Sequence, residues 1–177
     1  MADSAFIVRV PEAECCVRPL RERFDASARL GVPAHITVLM PFMPPERITS
    51  AVLEQAGRAL GQVAAFRFTL RKVRRFPAVA YLAPEPAAPF IVLTQNLARS
   101  FPDYPPFRGE FESIVPHLTV AHGRAADVEA AATELEAIMQ KHGPVESTCS
   151  AVALIGNSSG RWETMHVFDL PDAPHDR

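Results

Sequence analysis

Two short segments of the chain repeat one another: His35-Ile36-Thr37-Val38-Leu39 and His117-Leu118-Thr119-Val120-Ala121. Each is a His-x-Thr inside an apolar run, and they fall in different halves of the 177 residues. An imidazole has an unperturbed pKa of roughly 6.5, so near neutrality it works as acid or as base. One histidine can take a proton from a nucleophile while the other gives one to a leaving oxygen. Two threonine hydroxyls beside them can donate to the non-bridging oxygens of a phosphate and offset the charge that builds in the transition state. His35, Thr37, His117 and Thr119 therefore fit acid/base displacement at a phosphodiester, in a scheme that calls for no metal and no cofactor. A lone His-x-Thr carries little weight, because a half-buried histidine bonded to backbone beside a β-favouring threonine is common. Two copies in corresponding places carry far more.

To do this work the motifs must lie on strands. Side chains alternate across a strand, so His35 and Thr37 share one face and Ile36 and Val38 the other; the second copy repeats this. The apolar pairs can pack beneath helices. If two sheets oppose each other across a cleft, the four polar groups meet there.

The rest of the chain supplies elements for such a frame. Strands are expected at Phe6–Val10, Ile36–Met40, from Phe66 towards Val73, Val79–Leu82, Leu118–Ala121, Ser150–Ile155 and Trp162–Leu170. Helices are expected within Val17–Leu30, with Pro19 in the first turn, from Pro45-Glu46 to Leu60, over Phe90–Arg99, and from Ala126 to Gln140 before the Gly143-Pro144 stop. Pro84–Pro89 reads as a link between halves and Phe101–Phe111 as an irregular loop. This order predicts an α+β fold in a single bilobal domain over 1–177. Its lobes are a duplicated unit at about 1–85 and 86–171, with a tail at 172–177. Two small antiparallel or mixed sheets face a central cleft, with the helices outside.

Composition narrows the partners. The net charge of -2, with 48% hydrophobic and 21% charged residues, is that of an ordinary globular protein without a broad positive surface for duplex nucleic acid. Cys15, Cys16 and Cys149 form no disulfide framework and show no metal-ligand spacing, which argues against zinc. No stretch approaches the roughly 18 apolar residues of a membrane span. The expectation is a cytoplasmic monomer with reduced thiols and no membrane partner.

The segments Pro33-Ala34-His35-Ile36-Thr37-Val38-Leu39-Met40-Pro41-Phe42 and Pro116-His117-Leu118-Thr119-Val120-Ala121 resemble the paired motifs of the two-histidine phosphoesterase superfamily. Within it, they resemble the bacterial 2'-5' RNA ligase and 2',3'-cyclic phosphodiesterase (LigT-like) family. The resemblance extends over nearly the whole chain in element order. It implies a bilobal duplicated fold with His35, Thr37, His117 and Thr119 as the catalytic set. It implies a cyclic phosphodiesterase that opens 2',3'-cyclic phosphates on RNA ends or small cyclic nucleotides to 2'-phosphates, with a reversible 2'-5' RNA ligase activity beside it. By the same analogy His35 is the acid on the leaving oxygen and His117 the base on water.

Further residues are candidates for substrate binding. Arg67, Arg71 and Arg75 share a face if one strand runs through them, with Lys72 and Arg74 opposite. That face is either a phosphate-binding edge or a solvated edge strand protected by charge. Phe76, Tyr104 and Phe107 lie in expected loops and either stack a base or pack as satellites of the core. His166 shares a strand face with Trp162, Thr164 and Phe168, which either lines the cleft or is core. His122, beyond the second motif on the opposite face, reads as structural, His142 as helix C-terminal and His175 as tail. Gly156–Gly160 lacks the Lys-Ser/Thr of a phosphate loop. The competing readings are a nucleotide- or RNA-binding protein that uses the same cleft without turnover, or a non-catalytic RNA-interacting protein.

Overall fold

The structure, a computed structural model, describes residues 2–110 and 113–173. Phe111 of the expected loop, and residues 174–177 of the expected tail with His175, lie outside the described residues. Strand β1 (Ser4–Arg9) ends before Pro11, which opens a 3-10 turn leading into α1 (Glu14–Phe24). The first helix thus begins ahead of the expected Val17. Pro19 sits inside it rather than in its first turn, leaving the Cys15 carbonyl without a helical donor. The expected continuation to Leu30 breaks at Asp25, whose carboxylate accepts from the Ser27 N–H and caps a short α2 (Ala26–Arg29).

Strand β2 (His35–Leu39) follows, then α3 (Ser50–Leu60), capped by the Thr49 hydroxyl; Pro45–Arg47 is a separate 3-10 turn rather than the helix start. Strands β3 (Phe66–Phe76) and β4 (Val79–Glu85) pair as a hairpin around Pro77. Helix α4 (Ala88–Ser100), β5 (Leu118–His122) and α5 (Ala125–His142) come next, and Gly143 ends α5 with φ 84°. The chain closes with β6 (Val145–Cys149), β7 (Ala151–Gly156) and β8 (Glu163–Asp169). Strand β6 was not expected; Val145, Ser147 and Cys149 are its buried positions, and a serine among them leaves little apolar signal.

The fold is α+β, with two antiparallel four-stranded sheets in the orders β2-β1-β7-β8 and β5-β4-β3-β6. The sheets do not follow a division near residue 85. The first joins the beginning of the chain to its end, because β7 pairs with β1, and the second draws its strands from both sides of that point. One continuous core joins both sheets to the helices; it includes Phe6, Ile36 and Val38 from one sheet and Leu82, Leu118 and Val120 from the other. Each such side chain contributes about 1.5–3 kcal/mol on burial, which fixes the apolar side of both motif strands. Among the described residues no helix is long and apolar enough to cross a membrane.

Four strands contain a register step that leaves one residue without an opposite partner: Val38 in β2, Val120 in β5, Arg71 in β3 and Met165 in β8. The first two occupy the same place in the repeated motif, directly after the threonine. Each lets two consecutive residues, Val38-Leu39 and Val120-Ala121, turn inward.

Candidate active site

Strands β2 and β5 are both edge strands of their sheets, and they approach one another. His35, Thr37, His117 and Thr119 are half-buried, whereas Ile36, Val38, Leu118 and Val120 are buried in the core. Alternation thus turns both His-x-Thr faces away from the helices, to what is the groove side of each sheet, and the two rings lie near enough for charge on one to act on the other. His117 stands immediately before β5. Arg9 lies opposite His35 in the β1–β2 pair, and Tyr81 lies opposite Thr119 in the β4–β5 pair.

The two imidazoles are held in the same way. His35 Nδ1 lies 2.8 Å from the Pro33 carbonyl oxygen, and His117 Nδ1 lies 2.7 Å from the Val115 carbonyl oxygen. A carbonyl only accepts, so each Nδ1 carries the hydrogen and donates it to the residue two before. In the neutral ring Nε2 is then the free base, and in the cation Nε2–H is the free acid. This arrangement prepares each ring for proton transfer through Nε2.

Both rings hold their protons less firmly than an ordinary histidine. Burial pushes His35 down to about 4; the Pro33 carbonyl opposes this, and Arg21 and a charged His117 add to the depression. Burial also lowers His117, against the pull of the Val115 carbonyl. The mutual repulsion means the two sites share one proton more readily than two.

Different supports fix the two histidines. On the His35 side, the buried Arg21 guanidinium donates to Asp25 Oδ2 (2.9 and 3.1 Å) and to the Val32 carbonyl (3.1 Å). The Glu14 carboxylate accepts from the Ala34 N–H at 2.8 Å. Residues 32 and 34 are thus tied down on either side of Pro33, whose carbonyl holds the His35 ring. Thr94 on α4 donates to the Val38 carbonyl at 2.7 Å behind the motif. On the other side, Phe76 stacks on Tyr81 with ring centroids 4.5 Å apart, and the His117 ring meets each at 5.3 Å. Phe76 therefore adjoins the site, as the last residue of β3 rather than in a loop.

The expected binding residues divide. The step at Arg71 inverts the alternation of β3, so Arg75 turns to the helical side, where it pairs with Glu129 and Glu136 on α5 at 2.9 Å. Lys72 and Arg74 take the groove side; Lys72 pairs with Glu85 at 2.6 Å, and Arg74 lies opposite Tyr81. The supposed common face of Arg67, Arg71 and Arg75 does not exist. Arg67, beside Glu146, is roughly 20 Å along the strand from Arg74, and Arg71 is exposed at the step. Tyr104 sets its ring edge-on to Phe42 at 5.3 Å and packs on the main core. Phe107, with φ 50°, donates its N–H to the Met40 carbonyl beyond β2 at 2.7 Å, so this loop flanks the first motif.

His166 is on the edge strand farthest from β2 and packs on Phe168, whose ring belongs to the main core; it is not brought to the groove. Trp162 instead packs with Ala5, Ile7, Val32, Ala153 and Ile155 on the groove side of the first sheet. The step at Met165 separates what simple alternation had joined. Arg9 and Tyr81 were not anticipated. Arg9 is exposed and donates to Thr164, and Tyr81 is nearly buried against His117. Only the cross-strand register brings them to the motifs, and neither residue is marked locally.

A family model described as the 2'-5' RNA ligase superfamily matches residues 8–161. No curated protein matches the chain by sequence. Among solved structures, the chain is similar to a Thermus thermophilus protein, TT0787, at 20% identity and TM-score 0.58, covering 96% of this chain and 98% of the other. It is similar to E. coli LigT, solved with NADP+, at 16% identity and TM-score 0.58, covering 96% and 98%. A structure described as a phosphoesterase aligns at 14% identity and TM-score 0.54, covering 97% and 100%. At these identities the structural likeness speaks for the fold.

Proposed function

The chain belongs to the 2'-5' RNA ligase superfamily, and from that membership we propose that its paired histidines open 2',3'-cyclic phosphates on RNA ends or nucleotides to 2'-phosphates. The observation that carries the reading is the repeated Nδ1 anchorage, at the same motif position in two adjoining edge strands. Water attacks phosphorus in line with the 3' oxygen. One Nε2 takes a proton from that water, and the other Nε2–H gives a proton to the 3' oxygen as its bond to phosphorus breaks. The product carries a 2'-phosphate and a free 3'-hydroxyl. Thr37 and Thr119 donate to the non-bridging oxygens, so all the roles are filled by these four side chains.

The family resemblance makes His35 the donor to the 3' oxygen and His117 the base on water. An arriving phosphate anion stabilises the imidazolium that burial alone disfavours. If a 5'-hydroxyl of a second RNA attacks in place of water, the same transfers give a 2'-5' linkage, the ligase direction. Solved structures of E. coli LigT carry 3'-AMP, ATP and phosphate. Nucleotide recognition here is assigned to Phe76 and Tyr81 for stacking and to Arg74 and Arg9 for phosphate charge.

The test is turnover of nucleoside 2',3'-cyclic phosphates, and of an RNA bearing such an end, in excess EDTA, with product regiochemistry assigned. Chelator-resistant formation of the 2'-phosphate is expected. Folded protein that binds either substrate without turnover would point instead to a binding role for the same groove.

A further inference from the structure

Among the described residues one group of side chains far from both motifs in sequence converges on a single point: Cys15, Cys16 and His142. The two sulfurs are 3.7 Å apart, Cys15 Sγ is 3.6 Å from His142 Nε2, and all three donor atoms lie within 4.8 Å of one another. A zinc ion with sulfur at about 2.3 Å and nitrogen at about 2.0 Å places neighbouring tetrahedral ligands roughly 3.5–3.8 Å apart. Two of the three separations therefore already match a coordination tetrahedron. The sulfurs are far beyond the roughly 2.05 Å of a disulfide bond.

We propose that Cys15, Cys16 and His142 form a binding site for one thiophilic divalent cation of the zinc class. The sequence had argued against such a site because adjacent cysteines lack the usual spacing. Packing of α1 on α5 supplies the third ligand from the far end of the chain. His142 Nδ1 lies 3.2 Å from the Gly143 carbonyl and donates to it, which leaves Nε2, the nitrogen facing Cys15, as the lone-pair donor. Each thiol gives its proton to water as it takes the ion. Cys15 and His142 are exposed, so the ion has an entry path and a fourth position open to water. Helices α1 and α5 both pack against β5 and so brace the buried side of the second motif. The cation would clamp that brace without entering the groove, and the assignment stands apart from the proposed reaction.

Full-length protein, reduced with a phosphine and stripped by chelator, would be titrated with Zn2+ and with Co2+. One equivalent should bind, with thiolate-to-Co2+ charge-transfer absorption. Melting should rise by roughly 5–10 °C at about a hundredfold excess of Zn2+ over its dissociation constant. Cys15→Ser and His142→Ala change exposed side chains and should fold; each should weaken binding at least about tenfold and abolish the thermal shift. Cyclic-phosphate turnover should be unchanged in both. Absence of saturable binding at micromolar metal, or equal affinity in wild type and both variants, would overturn the site.

Discussion

At the scale of residues, the account rests on two imidazoles that are alike in anchorage and both held below the usual histidine range by burial. His35 is neutral when folded down to about pH 4, whereas an unfolded histidine takes its proton near 6.5. Between these values the unfolded chain binds more protons, so stability falls as pH drops from 6.5 to about 4 and levels below. The shift corresponds to about 3 kcal/mol at its limit, and His117 adds in the same direction. Urea denaturation across this window should show His35→Asn with a slope lower by about one proton; an unchanged slope would contradict a half-buried ring that stays neutral. The acid and base assignment has its own check. Bis(p-nitrophenyl) phosphate, an aryl phosphodiester, expels p-nitrophenolate, which leaves without a proton. His35→Ala should therefore stay within roughly tenfold of wild type on it, while His117→Ala loses about 10²–10⁴-fold. The opposite pattern would reverse the assignment of acid and base.

At the scale of elements, the motifs were legible because alternation alone places His and Thr together. The residues around them were not, because two register steps are silent in the sequence. Arg71 looks like any residue of a charged strand, yet the step there moves Arg75 to α5 and Arg74 to the groove. Met165 likewise parts Trp162 from Phe168. Arg74→Ala should accordingly weaken binding of an oligonucleotide ending in a cyclic phosphate and reduce the salt slope by about 1. Arg75→Ala should leave that slope intact and cost less than about 1 kcal/mol in stability, since its ion pairs are at the surface. Equal effects of the two substitutions on binding would mean that the step does not sort them. The segment before His35 depends on a buried pair. Arg21→Ala leaves Asp25 buried without its cation and should destabilise the protein by about 3–5 kcal/mol in urea unfolding.

At the scale of the whole molecule, duplication in sequence does not produce two independent lobes. The C-terminal strands return to β1, and one core spans both sheets, so each motif is positioned by residues from both ends of the chain. Near-ultraviolet and far-ultraviolet circular dichroism should therefore report one coincident unfolding transition; two separated transitions would show lobes that fold apart. The α+β class and the pairing of motifs were readable from element order. The interleaving of the sheets was not, since strand periodicity does not encode which strand is the neighbour. The central claim is that His35 and His117 act as one acid/base unit. It is tested most directly by the rate of opening of a 2',3'-cyclic phosphate in His35→Ala, His117→Ala and the double variant, each confirmed as folded. Each single substitution should lower kcat about 10²–10⁴-fold, and the double should be little slower than the worse single. Near-wild-type turnover in either single variant would contradict the paired-histidine site.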